Sequence, residues 1–284
     1  MIISKIFPCF PTHLITICVL LTGISAAHAQ GGSMQAQGGS MTVDDPRPVA
    51  KAAEQLEMVY GTPITYEDTF YVNANEVVDV TSLVRRDHGV GDNVQRVMIP
   101  KGRRITFAYT LPPGVGPSGA ATQAGPAANS PAPEAAAAIE NAVNSYTRAR
   151  NVKMFAVIEW GSMLHVVPTR FVNESRSFQI LRPLLDSNIS VAPRQRTAGD
   201  LLEEICRSVS VVSGRTLLLG APPGNLLHTY VTQLGATNEK ARSVLDRLFD
   251  EMRPQISMPL SWQLFCDANF RVCALNIYMV RKTT

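Results

Sequence analysis

Charge is scarce along this chain and nearly balanced. Its 284 residues carry 26 Lys and Arg against 23 Asp and Glu, a formal net charge of +3. So small an excess excludes the broad basic footprint of a nucleic-acid binder. With 45% hydrophobic residues the chain is also too apolar to be wholly disordered. Cysteine is as sparse, with five in the sequence, so the fold is held by a core and not by a disulfide scaffold. Long apolar runs are missing too. Nowhere do about 18 consecutive apolar residues occur, and no membrane-spanning helix is expected. Histidine is rare, at five, and none sits in HExxH or HxH spacing. No GxSxG elbow and no GxxxxGK[ST] loop occurs. These absences leave zinc, nucleotide and serine-hydrolase chemistry without a signature, and no cofactor is expected.

What is present begins with an address. Lys5, an apolar run over residues 14–24 and the small-x-small triplet Ala27-His28-Ala29 match a secretory signal peptide over residues 1–29. The apolar run is too short to span a bilayer as a helix. Ile17 before Cys18 is not the small residue that lipid attachment needs. The expectation is a periplasmic or secreted chain starting near Gln30, with Cys206, Cys266 and Cys273 its remaining cysteines.

Next comes a direct repeat, AQGGSM twice within residues 29–41. Its composition predicts a flexible tether over residues 30–45. The spacing of Val49, Ala52, Ala53, Leu56, Val59 and Tyr60 predicts a helix over 46–60, stopped by Gly61 and Pro63. Short strands are expected at 64–66, 77–84, 94–99 and 104–110, the last two as a hairpin about Pro100-Lys101-Gly102. Together these make a small N-terminal α+β module over 46–110. Residues 111–133 are uncharged and rich in Pro, Gly and Ala, as expected of an interdomain linker. A C-terminal module then spans 134–284. It opens with a helix near 134–149 behind Pro133 and a hairpin about Gly161-Ser162. The predicted fold class is therefore α+β: two small mixed modules with helices on short, mostly antiparallel sheets.

The clearest patterning lies at the C-terminus. A strand at 188–192 precedes a helix capped by Thr197, with Asp200 at capping-box spacing and Gly214 at its end. Thr216 to Leu219 reads as a strand, as does YVTQL at 230–234. A second helix, capped by Thr237 or Asn238, carries Ala241, Val244, Leu245, Leu248, Phe249 and Met252 on one face and stops at Pro254. Strands at 260–266 and 272–280 close the unit, giving β-α-β followed by β-α-β-β. On the segments VTQLGATNEKARSVLDRLFDEM, LSWQLFCD and ALNIYMV, residues 189–282 resemble the short N-terminal (STN-like) domain of secretins and TonB-dependent receptors. The resemblance extends to no pore domain, plug or barrel, and none is expected. The resemblance implies a periplasmic docking or assembly module, with an envelope protein or a second copy of the chain as partner. The whole chain also looks like uncharacterised secreted bacterial proteins.

Candidate chemistry is thin. Asp87, His88 and Asp92, in the polar segment RRDHGVGDN, are the weak candidates for an acid/base or metal constellation. They support the alternative of an envelope hydrolase or metal-dependent enzyme. The competing reading is a solvated loop, since one segment supplies neither a nucleophile nor a second set of ligands. His165 reads as a structural strand histidine and Cys206 as a buried, inert thiol. Cys266 and Cys273 face each other across the C-terminal hairpin as a possible disulfide, with two small core residues as the alternative. Lys101, Arg103 and Arg104 read as a solvated basic turn.

Overall fold

The computed structural model describes residues 38–71, 74–83, 96–111, 131–220, 222–268 and 271–282. The first half runs β1 (Gly38–Asp45), α1 (Pro48–Tyr60), β2 (Ile64–Glu67), β3 (Val77–Asp79), β4 (Met98–Pro100), β5 (Arg103–Thr110), α2 (Pro133–Arg150), β6 (Phe155–Trp160) and β7 (Met163–Pro168). Proline stands at the first turn of α1 and of α2, where its missing N–H has no helical partner to lose. Gly61 ends α1 at φ 69°, a left-handed conformation that favours glycine. Gly161, at φ 56°, turns β6 back onto β7, with Trp160 opposite Met163.

The second half runs β8 (Arg170–Val172), β9 (Phe178–Ile180), β10 (Asn188–Val191), β11 (Arg196–Thr197), α3 (Ala198–Ser213), β12 (Thr216–Leu219), α4 (Gly224–Thr229), β13 (Val231–Thr232), β14 (Ala236–Lys240), α5 (Ala241–Met252), β15 (Leu260–Cys266) and β16 (Val272–Met279). The capping box forms as the spacing predicts: Asp200 N–H donates to the Thr197 hydroxyl, and Thr197 N–H to the Asp200 carboxylate. Gly214 ends α3 in the left-handed region. The fold class is α+β.

A six-stranded sheet, β12-β16-β15-β2-β7-β6, forms the centre. It is built twice from the same parts. In the first half β1 pairs antiparallel with β5, β2 runs parallel to β7, and β6 pairs antiparallel with β7. In the second half β10 pairs antiparallel with β14, β12 runs parallel to β16, and β15 pairs antiparallel with β16. Each half is thus β-α-β followed by β-α-β-β, and the two three-stranded halves join where β15 runs parallel to β2.

The helix layers sit on opposite faces. Ile64, Tyr66, Leu164 and Val166 pack with α1 and α2, whereas Trp262, Leu264 and Leu275 pack with α3 and α5. At the junction Tyr66 is opposite Gln263 and Glu67 opposite Leu264. Residues directly opposite share a face, so the layer under Tyr66 and the layer under Leu264 lie on different sides. From β12 to β6 the strand directions are down, down, up, then up, up, down. The second half therefore maps onto the first by a half-turn about the in-sheet axis across the strands, combined with a shift of three strands.

Three expectations are corrected here. Residues 38–45 are not a tether. They form β1, because strand pairing uses backbone groups that Gly and Ser supply as well as any residue, and Val43 is buried beside Ile105 and Phe107. The stretches 46–110 and 134–284 are not separate modules, since β2 lies between β15 and β7 in one sheet and residues 36–284 form one compact unit. The hairpin about Pro100-Lys101-Gly102 does not form: β4 pairs with β3, and β5 with β1. Of the 111–133 stretch, residues 112–130 lie outside the described residues, as does the 1–29 leader. Two smaller differences concern the second half. Thr237 and Asn238 belong to β14, so α5 starts at Ala241. The segment GNLLHT, following a Pro-rich turn, forms the short helix α4.

Candidate functional site

The β15–β2 junction carries the densest polar chemistry of the described residues. The run Thr65-Tyr66-Glu67-Asp68 ends β2 deep inside the protein, with both faces of the strand covered. The Asp68 carboxylate accepts hydrogen bonds from Tyr66 Oη (3.0 Å), Tyr71 Oη (3.1 Å), Thr69 N–H (3.1 Å), Arg47 Nε (2.8 Å) and Cys266 N–H (3.3 Å). Arg47 also donates to the Cys266 carbonyl (2.9 Å) and lies over the Phe265 ring, 4.9 Å from its centroid. The Arg47–Asp68 pair thus holds the ends of β2 and β15 together.

On the other face Glu67 pairs with Arg242 of α5 (2.7 Å) and accepts the N–H groups of Leu184 and Leu185. Arg242 reaches Asp186 as well (3.2 Å). Burial raises the Glu67 carboxyl above its usual range, and Arg242 and its hydrogen bonds oppose that shift. Glu57, on the last turn of α1, accepts Ile64 N–H (2.7 Å) and the Tyr278 hydroxyl (2.9 Å). Burial pushes its carboxyl up to about 8, against the lowering effect of those hydrogen bonds.

Thr65 Oγ1, His165 Nδ1 and Asp246 stand in the order of a nucleophile, a base and an orienting acid. Thr65 Oγ1 lies 2.7 Å from Nδ1, and Nε2 lies 3.3 Å from Asp246 Oδ2. Thr65 and His165 are 0% exposed and Asp246 is 2% exposed, so a substrate cannot reach them. The His165 ring stacks on Trp262 with centroids 6.0 Å apart. This is a buried polar cluster where α5 packs on β2 and β7.

The sequence-predicted residues are scattered. Asp87, His88 and Asp92 lie outside the described residues. Cys206 is buried on α3, where desolvation raises its thiol to about 12. His228 lies on α4, near Gly199 at the start of α3. Cys266 and Cys273 are joined, with Cα atoms 4.0 Å apart at the turn end of β15 and β16. The described residues contain no group of three or more His, Cys, Asp or Glu side chains able to hold a metal ion. No described helix is long and apolar enough to cross a membrane. A cavity of about 370 Å³ lies beside Phe70, Leu184, Asn188, Val212 and Arg215 and includes none of the predicted residues.

The surface is more telling than the interior. The central sheet ends in β6 on one side and β12 on the other, and no described strand pairs with either outer edge. Ile158 and Trp160 on β6 are 44% and 55% exposed, and Leu218 on β12 is 47% exposed. Val211, Val212 and Val272 add exposed apolar surface around the β12 end. Sequence reading missed both the junction and the edges. Its only signal for the junction was the acidic pair Glu67-Asp68 closing an apolar strand.

Comparison of the chain with family models, with curated proteins and with solved structures finds no match in any of the three.

Proposed function

We propose that this chain is a non-catalytic docking or assembly module of the bacterial envelope, exported behind its N-terminal leader and working through the edges of its central sheet. One observation carries this reading: no described strand pairs with either outer edge of the sheet, and both β6 and β12 carry exposed apolar side chains, although the Ser210 hydroxyl holds the Leu217 backbone on the β12 edge. Natural edge strands are usually blunted by Lys, Pro or a bulge. Neither FAVIEW in β6 nor TLLL in β12 contains Lys or Pro. Such edges suit β-augmentation, in which main-chain hydrogen bonds supply affinity and alternate side chains supply specificity. The resemblance of residues 189–282 to the STN-like domain of secretins and TonB-dependent receptors points to the same class of role.

The test is site-specific photocrosslinking in the native host, with a photoreactive residue at Ile158 or at Leu218 of the full chain. A discrete covalent adduct from at least one edge, to any protein and absent from a control position on the α1 surface, is the expected result. No adduct from either edge, in cells where the chain is folded and exported, overturns the reading.

A further inference from the structure

The β15–β2 junction is heterologous: two different edges meet, one from each half of the chain. Under the half-turn that relates the halves, β6 is the counterpart of β15 and β12 the counterpart of β2. The two edges without a strand partner are therefore the same kinds of edge that already pair inside the molecule, and on β12 the Ser210 hydroxyl holds the Leu217 backbone where Glu57 holds Ile64 N–H on β2. Building on the docking reading above, the geometry points to a second copy of this chain as the partner. Copies join head to tail, with β6 of one running parallel to β12 of the next.

Strand direction permits this without adjustment. β6 and β12 both run opposite to β2. Shifting a whole copy across its six strands, about 29 Å at about 4.8 Å per strand, therefore lays β12 alongside β6 in the parallel sense. The helix layers fit as well. The layer over β6 and the layer over β12 lie on opposite faces, as do the two layers that meet at the internal junction. Each can then overhang its neighbour's strands.

The side chains follow the same equivalence. Ile64 and Leu217 each point to their own helix layer, and their partners across the ladder are Leu164 and Cys273. That alignment sets Thr65 against Leu218 and Met163 against Val272. Thr65 and Met163, at the internal junction, are 0% and 2% exposed, because α5 covers them. Leu218 and Val272 stand uncovered in the matching places. On the other edge Ile158 matches Phe265. Phe265 is covered by Arg47 and packs against the α1 layer, whereas Ile158 is exposed. The apolar residues on both open edges thus mark positions that the internal junction buries. Such an interface does not close on itself in a pair. It propagates to a ring or a filament.

The test uses the full chain and two edge variants, Ile158→Lys and Leu218→Lys, in sedimentation velocity across a hundredfold concentration range. Wild type is expected to form concentration-dependent species heavier than a dimer. Each variant alone is expected to be monomeric, because one edge of every interface is blocked. An equimolar mixture is expected to form a one-to-one dimer and nothing larger, since one intact β6 edge meets one intact β12 edge. Far-ultraviolet circular dichroism checks folding. If a lysine unfolds the chain, Glu159→Pro blocks the same edge by removing an outward N–H, and leaves the apolar side chains in place. A wild type that stays monomeric throughout overturns the proposal. So does a variant that alone forms dimers, because that requires a symmetric interface. A monomeric wild type that still crosslinks to another protein in the host sinks self-association and leaves the docking reading intact.

Discussion

Glu57 gives the sharpest test of the buried junction. Its carboxyl is 1% exposed, sits between α1 and β16, and titrates near 8 instead of its usual 4.5 because burial disfavours the charged form. The folded chain therefore holds this proton more tightly than the unfolded chain does. Between pH 4.5 and 8 the native state stays protonated while the unfolded state ionises, so stability falls as pH rises through that window. The shift from 4.5 to about 8 corresponds to at most about 5 kcal/mol, at about 1.4 kcal/mol per unit. Glutamine keeps the size, still accepts Ile64 N–H on its amide oxygen, can donate its amide N–H to the Tyr278 oxygen, and cannot ionise. Glu57→Gln should therefore match wild type at pH 4.5 and exceed it progressively up to pH 9. Urea unfolding of both proteins at half-unit pH steps measures the difference, and subtraction cancels every other titrating group. Parallel stability curves across the whole range would refute the reasoning.

Removing Arg242 leaves Glu67 buried without its cation. Arg242→Met should destabilise by about 3–5 kcal/mol, and adding Glu67→Gln should recover part of that loss. A loss below about 1 kcal/mol in urea unfolding would show that the pair does not hold α5 to β2. The Cys266–Cys273 bridge closes a short loop, with a sequence separation of 7. Chain entropy gives it about 2–2.5 kcal/mol. The double Cys→Ser variant should lose about that much, and wild type unfolded without reductant should titrate two fewer thiols than after reduction. Equal thiol counts would show that no bridge forms.

Much of the second half was legible because its signals are local. The stripes of α3 and α5, the Thr197–Asp200 box, Gly214 and the Gly161 turn each act within a few residues. Cys266 opposite Cys273 followed from the same hairpin register. What stayed hidden is non-local. β1 reads as a tether because Gly-Gly-Ser carries no pattern, and only its partner β5, with Ile105 and Phe107, reveals it as a strand. The β15–β2 pairing joins residues that lie far apart in sequence, and no periodicity reports it. The likeness of the two halves is masked in the sequence for a physical reason. β2 is covered on both faces and ends in Glu67 and Asp68, which pair across the junction. β12 is covered on one face only, so the same structural position selects different residues in the two halves. The meeting of Thr65, His165 and Asp246 stayed hidden for the same reason. His165 was read as structural and is buried in β7, and only the carboxylate beside it, from a helix in the other half, went unseen.

Asp68 also sets a schedule for the growing chain. Its donors come from residues 47, 66, 69 and 71 and from Cys266, about 200 residues later in the sequence. During synthesis the early partners are present long before the last. Until β15 emerges, Asp68 lacks the Cys266 amide and Arg47 lacks the Cys266 carbonyl. Long-range strand pairing is slow to form in any case. The edge of β2 therefore stays unfilled until β15 has been made, and a chain that stalls before residue 260 leaves that edge open. Emergence of β15 and closure of the middle of the sheet are one event.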